Sequence, residues 1–319
     1  MLNILTITFP FFALVLCGYV ATRKGLLPLA AIGGLNTFVL FFALPCMLFS
    51  FAARTPITQL IDPTTAAVYL LCGVLLVTAV VATTLRRWGW NDAAFGALVA
   101  VFPNSGFMGV PMLVTILGEA SAGIVILTMA VDMVVTTSLC IALSRLGQEK
   151  GGAWGALRNA LRGMLSNPMP WAMVAGAFAS AGSWQLPAPL HTTVNMLATA
   201  ASPVALFTIG AVLARSQMNV HDRLLVRDYA PIALVKLLLH PALVWLVGKG
   251  AQSAGLALDD AALVALVLVA ALPSASNVSL LTERFGAHNG RVAKIILMTT
   301  ALAFLSFSVA VRWLVPAPN

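Results

Sequence analysis

The chain has 319 residues, of which 60% are hydrophobic and only 9% charged. Soluble domains carry about 25% charged residues, so a water-soluble domain is excluded and the bilayer is the expected solvent. The net charge of +8 is scattered between apolar stretches rather than gathered on one surface, which argues against nucleic acid and makes the basic residues reporters of topology.

A membrane helix needs about 20 mostly apolar residues. Ten stretches qualify, at 3–22, 29–53, 64–85, 92–117, 121–146, 168–186, 192–214, 229–248, 260–282 and 287–315. The predicted fold is therefore an all-α polytopic membrane protein. The first stretch has no basic leader and no small-residue cleavage site, so it reads as a permanent span and not a signal peptide. The sixth is the shortest, with Trp171 and Trp184 placed to sit at the two interfaces. Between the fifth and sixth, residues 147–167 carry Trp154, Leu157, Leu161, Met164 and Leu165 at helical spacing beside Arg158 and Arg162. That pattern predicts a basic amphipathic linker lying on the cytoplasmic leaflet. Cys17, Cys46, Cys72 and Cys140 all fall inside apolar stretches without metal-ligand spacing, so neither a metal site nor a disulfide framework is expected.

Basic residues alternate cleanly between the connections. Fourteen of the eighteen Lys and Arg fall on one side, including Arg23, Arg86, Arg87, Arg158 and Arg291. Three (Arg54, Lys249 and Arg312) fall on the other, and Lys236 lies within a span. The positive-inside rule then places both termini outside and the central linker inside.

The chain divides into two similar halves, 1–146 and 168–319, joined by the 147–167 linker. Pro45 and Pro203 occupy matching places in spans 2 and 7, and Phe102-Pro103-Asn104-Ser105-Gly106 in span 4 matches Leu272-Pro273-Ser274-Ala275-Ser276-Asn277 in span 9. Five spans per half is odd, so the second half is inverted. Inverted repeats with interrupted helices at matching places are the pattern of secondary transporters.

Proline inside a helix removes a hydrogen bond and clashes with the preceding turn, and in lipid the freed groups must be buried in protein or line a cavity. Pro103 and Pro273, with Gly106, Pro45 and Pro203, are thus candidate breaks or hinges. The polar followers Asn104, Ser105, Ser274, Ser276 and Asn277 are candidate substrate ligands, because a half-helix starting there offers free amides and partial positive charge to a carboxylate. An ordinary proline kink is the bland alternative. Asp132, flanked by apolar residues in span 5, costs about 2.5–3.5 kcal/mol at the bilayer centre, so it is expected either to bind a coupling proton or sodium ion or to pair with a base. Lys236 and His240 share a face of span 8. Lys236 could offset a substrate carboxylate, pair with Asp132 or snorkel, and His240 suits proton coupling or plain packing. No H-E-x-x-H motif, evident nucleophile or paired intramembrane aspartates occur, so no catalytic residue, metal or cofactor is expected. A channel or membrane receptor is the alternative class.

Cys17-Gly18-Tyr19, Phe42-Ala43-Leu44-Pro45, the run from Phe102 to Pro111, Lys236-Leu237-Leu238-Leu239-His240-Pro241 and Pro273-Ser274-Ala275-Ser276-Asn277 together make the sequence resemble the auxin efflux carrier family, in particular its bacterial malonate or malate permeases. The resemblance implies spans 4 and 9 crossing at their prolines to form the substrate site. It also implies a scaffold of spans 1, 2, 6 and 7, a transport domain of spans 3–5 and 8–10, elevator-like movement and a homodimer in the bacterial inner membrane. The partner it implies is a small organic anion: a dicarboxylate, or alternatively a monocarboxylate such as indole-3-acetate.

Overall fold

In the computed structural model, which describes residues 2–56, 62–146, 158, 168–218 and 224–315, the regular structure among those residues is helix, joined by short turns, with one isolated bridge. The linker expected at 147–167 lies outside the described residues except for Arg158, which is helical and exposed. In chain order the helices are α1 (Leu2–Arg23), α2 (Ala31–Arg54), α3 (Pro63–Val101), α4 (Ser105–Leu117), α5 (Ser121–Ser144), α6 (Pro168–Ala181), α7 (Ala188–Met218), α8 (Ala230–Ser253), α9 (Asp260–Ala271), α10 (Asn277–Arg284) and α11 (Asn289–Leu314). Six of them (α2, α3, α5, α7, α8 and α11) are long and apolar enough to cross a membrane, and Phe9–Arg23, Ser105–Leu117 and Asp260–Ala271 are shorter apolar helices.

Helix α3 covers what the sequence predicts as span 3 and the start of span 4. It contains Gly89 at φ 72, ψ 171, so two helical stretches meet there without a loop. Only glycine adopts that φ without strain. The junction is fixed by Asp92, which accepts from Arg291 at 3.1 Å and from the His288 amide at 2.8 Å, while the Arg291 guanidinium lies 4.0 Å over the Trp88 ring. A partly buried carboxylate, guanidinium and indole of this kind hold an angle better than an exposed pair would.

Four helices contain a widened, π-helical stretch: Val39–Ala43, Ser105–Gly109, Asp132–Thr136 and Val235–Leu239. Three have a common cause. Pro45, Pro111 and Pro241 each follow the stretch by two residues, and each ring meets the carbonyl four positions back: Phe41, Phe107 and Leu237. Widening the turn lets Leu44 donate to Val39 O and His240 to Val235 O, so the proline is absorbed without ending the helix. In the fourth, the Thr137 amide and hydroxyl both reach Asp132 O. At Pro203, α7 continues uninterrupted.

The chain forms two compact units. The first runs over Met1–Asp62, Ser105–Leu127 and Leu165–Val220. Its centre is α1 against α7, where small residues let backbones touch, as is common between membrane helices. A Cβ on Gly18 would stand 1.9 Å from Phe207 O, and one on Gly210 would stand 1.8 Å from Val15 O. A Cβ on Gly176 of α6 would likewise stand 2.7 Å from both Phe49 O and the Ala52 side chain of α2.

The second unit runs over Pro63–Asn104, Thr128–Met164 and His221–Asn319. Here Ala93–Val101 of α3 and Ala262–Ala271 of α9 are buried all round apart from Val264, so both stretches are sheathed by other helices of the unit. A helix hydrophobic on all faces belongs in such a place.

Gly210→Leu is expected to cost about 1–3 kcal/mol through overpacking, read as a lower melting temperature of the purified protein. Gly250→Ala, where nothing lies within 4 Å, should leave it unchanged or raised. Equal tolerance of both substitutions would contradict the backbone contact between α1 and α7.

Candidate functional site at the paired helix breaks

Helix α3 stops at Val101 and α9 at Ala271, and the short extended segments after them lie side by side. Asn104 N–H donates to Pro273 O at 2.8 Å and Ala275 N–H to Phe102 O at 3.0 Å, giving an antiparallel bridge between Pro103 and Ser274. Each break thus supplies the hydrogen bonds that the other lost. This matters because an unpaired backbone group in an apolar medium costs several kcal/mol, on the order of 4–8 by transfer to alkane.

Three further carbonyls at the breaks also find partners. Pro103 has no N–H for Val99 O, and the Ser274 hydroxyl donates to that oxygen instead at 2.7 Å. The Ser274 amide, which in a continuous helix would bond Ala270, donates to Thr299 Oγ1 of α11 at 3.2 Å. Ala270 O and Val101 O accept from Lys236 Nζ at 3.1 and 3.4 Å.

Lys236 and His240, both 0% exposed, sit on the π-helical turn of α8 and its first following residue. Lys236 therefore does not snorkel to an interface. Its Nζ lies 3.0 Å from His240 Nδ1, and His240 Nε2 has no hydrogen-bond partner. The His240 ring stands 6.3 Å from the Tyr69 ring, centroid to centroid, and the Tyr69 hydroxyl donates to Asp132 Oδ2 at 2.7 Å. Thr136 donates to the other carboxylate oxygen at 3.1 Å. Asp132 and Lys236 lie within each other's field, but no direct ion pair joins them. The result is one buried polar cluster running from Asp132 through Tyr69, His240 and Lys236 to the breaks.

Of the residues singled out in the sequence, the second unit brings together Pro103, Asn104, Asp132, Lys236, His240, Pro273, Ser274, Ser276 and Asn277. The first unit holds Pro45, Pro203, Ser105 and Gly106, the last two opening α4, with Ser105 fully buried. Ser274 has both its amide and hydroxyl hydrogens committed to the fold, which leaves it a positioning residue for the breaks and not a free donor. Asn104 and Asn277 differ. Asn104 is only 3% exposed and is held by its backbone amide on Pro273 O, while the buried Asn277 Oδ1 has no hydrogen-bond partner at the first residue of α10. A buried amide oxygen left open in this way is uncommon and can accept a further hydrogen bond.

Sequence reasoning missed Tyr69 and Thr299. One of only three tyrosines, Tyr69 sits mid-span, where its hydroxyl requires a partner, and that was a usable signal. Thr299 gave none, since an intrahelical bond to Ile296 O would have satisfied it.

A family profile described as "Membrane transport protein" matches residues 3–311. A protein of Rhizobium meliloti (strain 1021) named "Putative malonate transporter" is 32% identical over 311 residues, covering 95% of this chain and 93% of the relative. The "Uncharacterized transporter YfdV" of Escherichia coli (strain K12) is 26% identical over 312 residues, covering 93% and 92%. Spread over nearly the whole length, these matches establish that the chain is a membrane-embedded transporter belonging to the membrane transport protein family, the family of the auxin efflux carriers.

Proposed function

We propose that this protein is a secondary active carrier of small organic anions, a dicarboxylate of the size of malonate or malate, with its substrate bound at the paired breaks. The observation that carries this reading is the asparagine that follows each break: Asn104, only 3% exposed, and Asn277, whose buried Oδ1 has no hydrogen-bond partner. The amide oxygen and nitrogen are interchangeable by rotation, so each can present an NH2 group to a carboxylate. Asn277 and Ser276 stand at the N-terminus of α10, which carries roughly half a positive charge. The Lys236 ammonium in the same unit adds a full one, and this surplus favours a substrate with two negative charges over indole-3-acetate. The malonate in the name of the Rhizobium meliloti relative supports the same choice.

In this reading ten spans form two inverted repeats, and elevator-type alternating access moves the site across the inner membrane of a homodimer with both termini outside. A proton or sodium ion is coupled through Asp132. No chemical step is required of any residue, in keeping with the transporter names of the family and its relatives.

In proteoliposomes, counterflow of labelled malonate should be saturable, and Asn104→Ala and Asn277→Ala should each reduce it about tenfold or more, the equivalent of one charge-assisted hydrogen bond. If the folded wild type exchanges none of malonate, malate and succinate, the substrate assignment is wrong.

Asp132→Asn keeps the shape and removes the charge. It should abolish gradient-driven uptake while leaving counterflow, which needs no net ion movement. Undiminished uptake in this variant would remove Asp132 from the coupling mechanism.

A further inference from the structure

Away from the breaks, the second unit carries a groove of about 410 Å³ between α3 and α8. Its walls include Leu76, Val80, Ile232, Val235 and Leu239, and the outer faces of the same two helices expose Val74, Leu75, Leu234 and Leu238. Such flanks suit hydrocarbon, since lipid tails are as apolar as leucine. Leu76 and Arg87 are eleven residues apart on α3, a rise of roughly 17 Å, against roughly 15 Å for half of the hydrocarbon core. The groove is therefore about one leaflet long.

Its mouth is chemically different. Arg87, Trp88, Arg227 and Asp228 line that end, and Tyr229 beside them lies 5.6 Å under Lys294 Nζ. An indole, a phenol and several cations at one level mark a membrane–water interface. Asp228 is the one acid in the lining among the described residues, and both its oxygens are engaged. Its Oδ1 accepts from Arg87 Nη2, and its Oδ2 from the Leu225 amide at 3.1 Å. A guanidinium offers five N–H donors, so Arg87 keeps most of its own, and Arg227 is exposed nearby. The surplus charge at the mouth is positive. Past Thr83 the lining is wholly apolar, which gives a small dicarboxylate nothing to bind. The basic stretch 147–167, with Arg158 and Arg162, would bring like charge to the mouth.

We propose that this groove binds an anionic phospholipid, its phosphate held by Arg87 and Arg227 and one acyl chain laid between α3 and α8. Basic pockets between membrane helices recognise anionic head groups in this way. Val235 and Leu239 are the first and last residues of the π-helical turn of α8, so the bound chain packs on an irregular stretch and stabilises it. The site shares no residue with the paired breaks and does not depend on which substrate is carried.

The test uses the purified, delipidated full chain in neutral detergent, with phosphatidylglycerol or phosphatidylcholine of identical chains added. Native mass spectrometry reads the bound lipid, and thermal unfolding reads its effect. The wild type should retain phosphatidylglycerol, and its melting temperature should rise saturably with that lipid and not with phosphatidylcholine. Arg227→Gln should weaken retention about fivefold, the worth of one basic residue near an anionic surface. Arg312→Gln, exposed at the far end of α11, should leave it unchanged. Ala79→Phe, which puts a ring into the trough, should lose retention altogether, and inorganic phosphate should give no protection. Equal retention of the two lipids, equal losses in the two arginine variants, full retention in Ala79→Phe or protection by phosphate alone would each overturn the proposal. So would a wild-type dimer that Ala79→Phe dissociates, since the groove would then seat a second copy.

Discussion

Everything in the second unit depends on two broken helices mending each other. In water a chain break is cheap, because solvent takes up the freed amides and carbonyls. In a membrane the partners have to come from protein. Here the bonds from Asn104 to Pro273 and from Ala275 to Phe102 restore two of them directly. The Ser274 hydroxyl restores the bond that Pro103 cannot make to Val99 O, and Lys236 covers two more oxygens, Val101 O and Ala270 O. The Asn277 Oδ1 is nonetheless left open in the interior, beside a backbone largely mended by the crossing.

Proline acts in two distinct ways in this chain. Where it follows an otherwise helical run, as at Pro45, Pro111 and Pro241, the preceding turn widens and the helix goes on. Such a stretch inserts one residue into the turn, so it also sets which face the residues on it present. Lys236 lies within one such turn and His240 immediately after it, and Asp132 opens another. The group holding the helix ends and the carboxylate nearest the cluster are therefore both placed by irregular helix. Where proline is followed by residues that pair with a second break, as at Pro103 and Pro273, the helix ends.

Much of this was legible in the sequence, for a physical reason. Proline and an ionisable residue are both costly in a lipid-embedded helix, so Pro103, Pro273, Asp132 and Lys236 stand out against an apolar background. What the sequence could not show is who satisfies whom. Ser274 reads as a ligand because its type and position suit one, yet its hydroxyl is consumed by Val99, 175 residues away. Asp132 and Lys236 look like a pair by charge, but the carboxylate is held by Tyr69 and Thr136 and the ammonium by helix-end carbonyls. Spans 3 and 4 read as separate stretches, while Gly89 alone turns one into the other without a loop. The glycines at 18 and 210 were legible only as small residues; that they carry backbone contact between α1 and α7 is a tertiary fact.

The mutual repair of the two breaks is open to direct measurement by hydrogen–deuterium exchange in proteoliposomes, following the peptides that contain 98–105 and 270–277 in the wild type and in Ser274→Ala. Paired breaks predict slow exchange at the Asn104 and Ala275 amides, comparable to the flanking helices, and a loosening of both peptides together when the Ser274 hydroxyl is removed. Loop-like exchange in the wild type, or loosening confined to the mutated peptide, would contradict the pairing on which the account of the site rests.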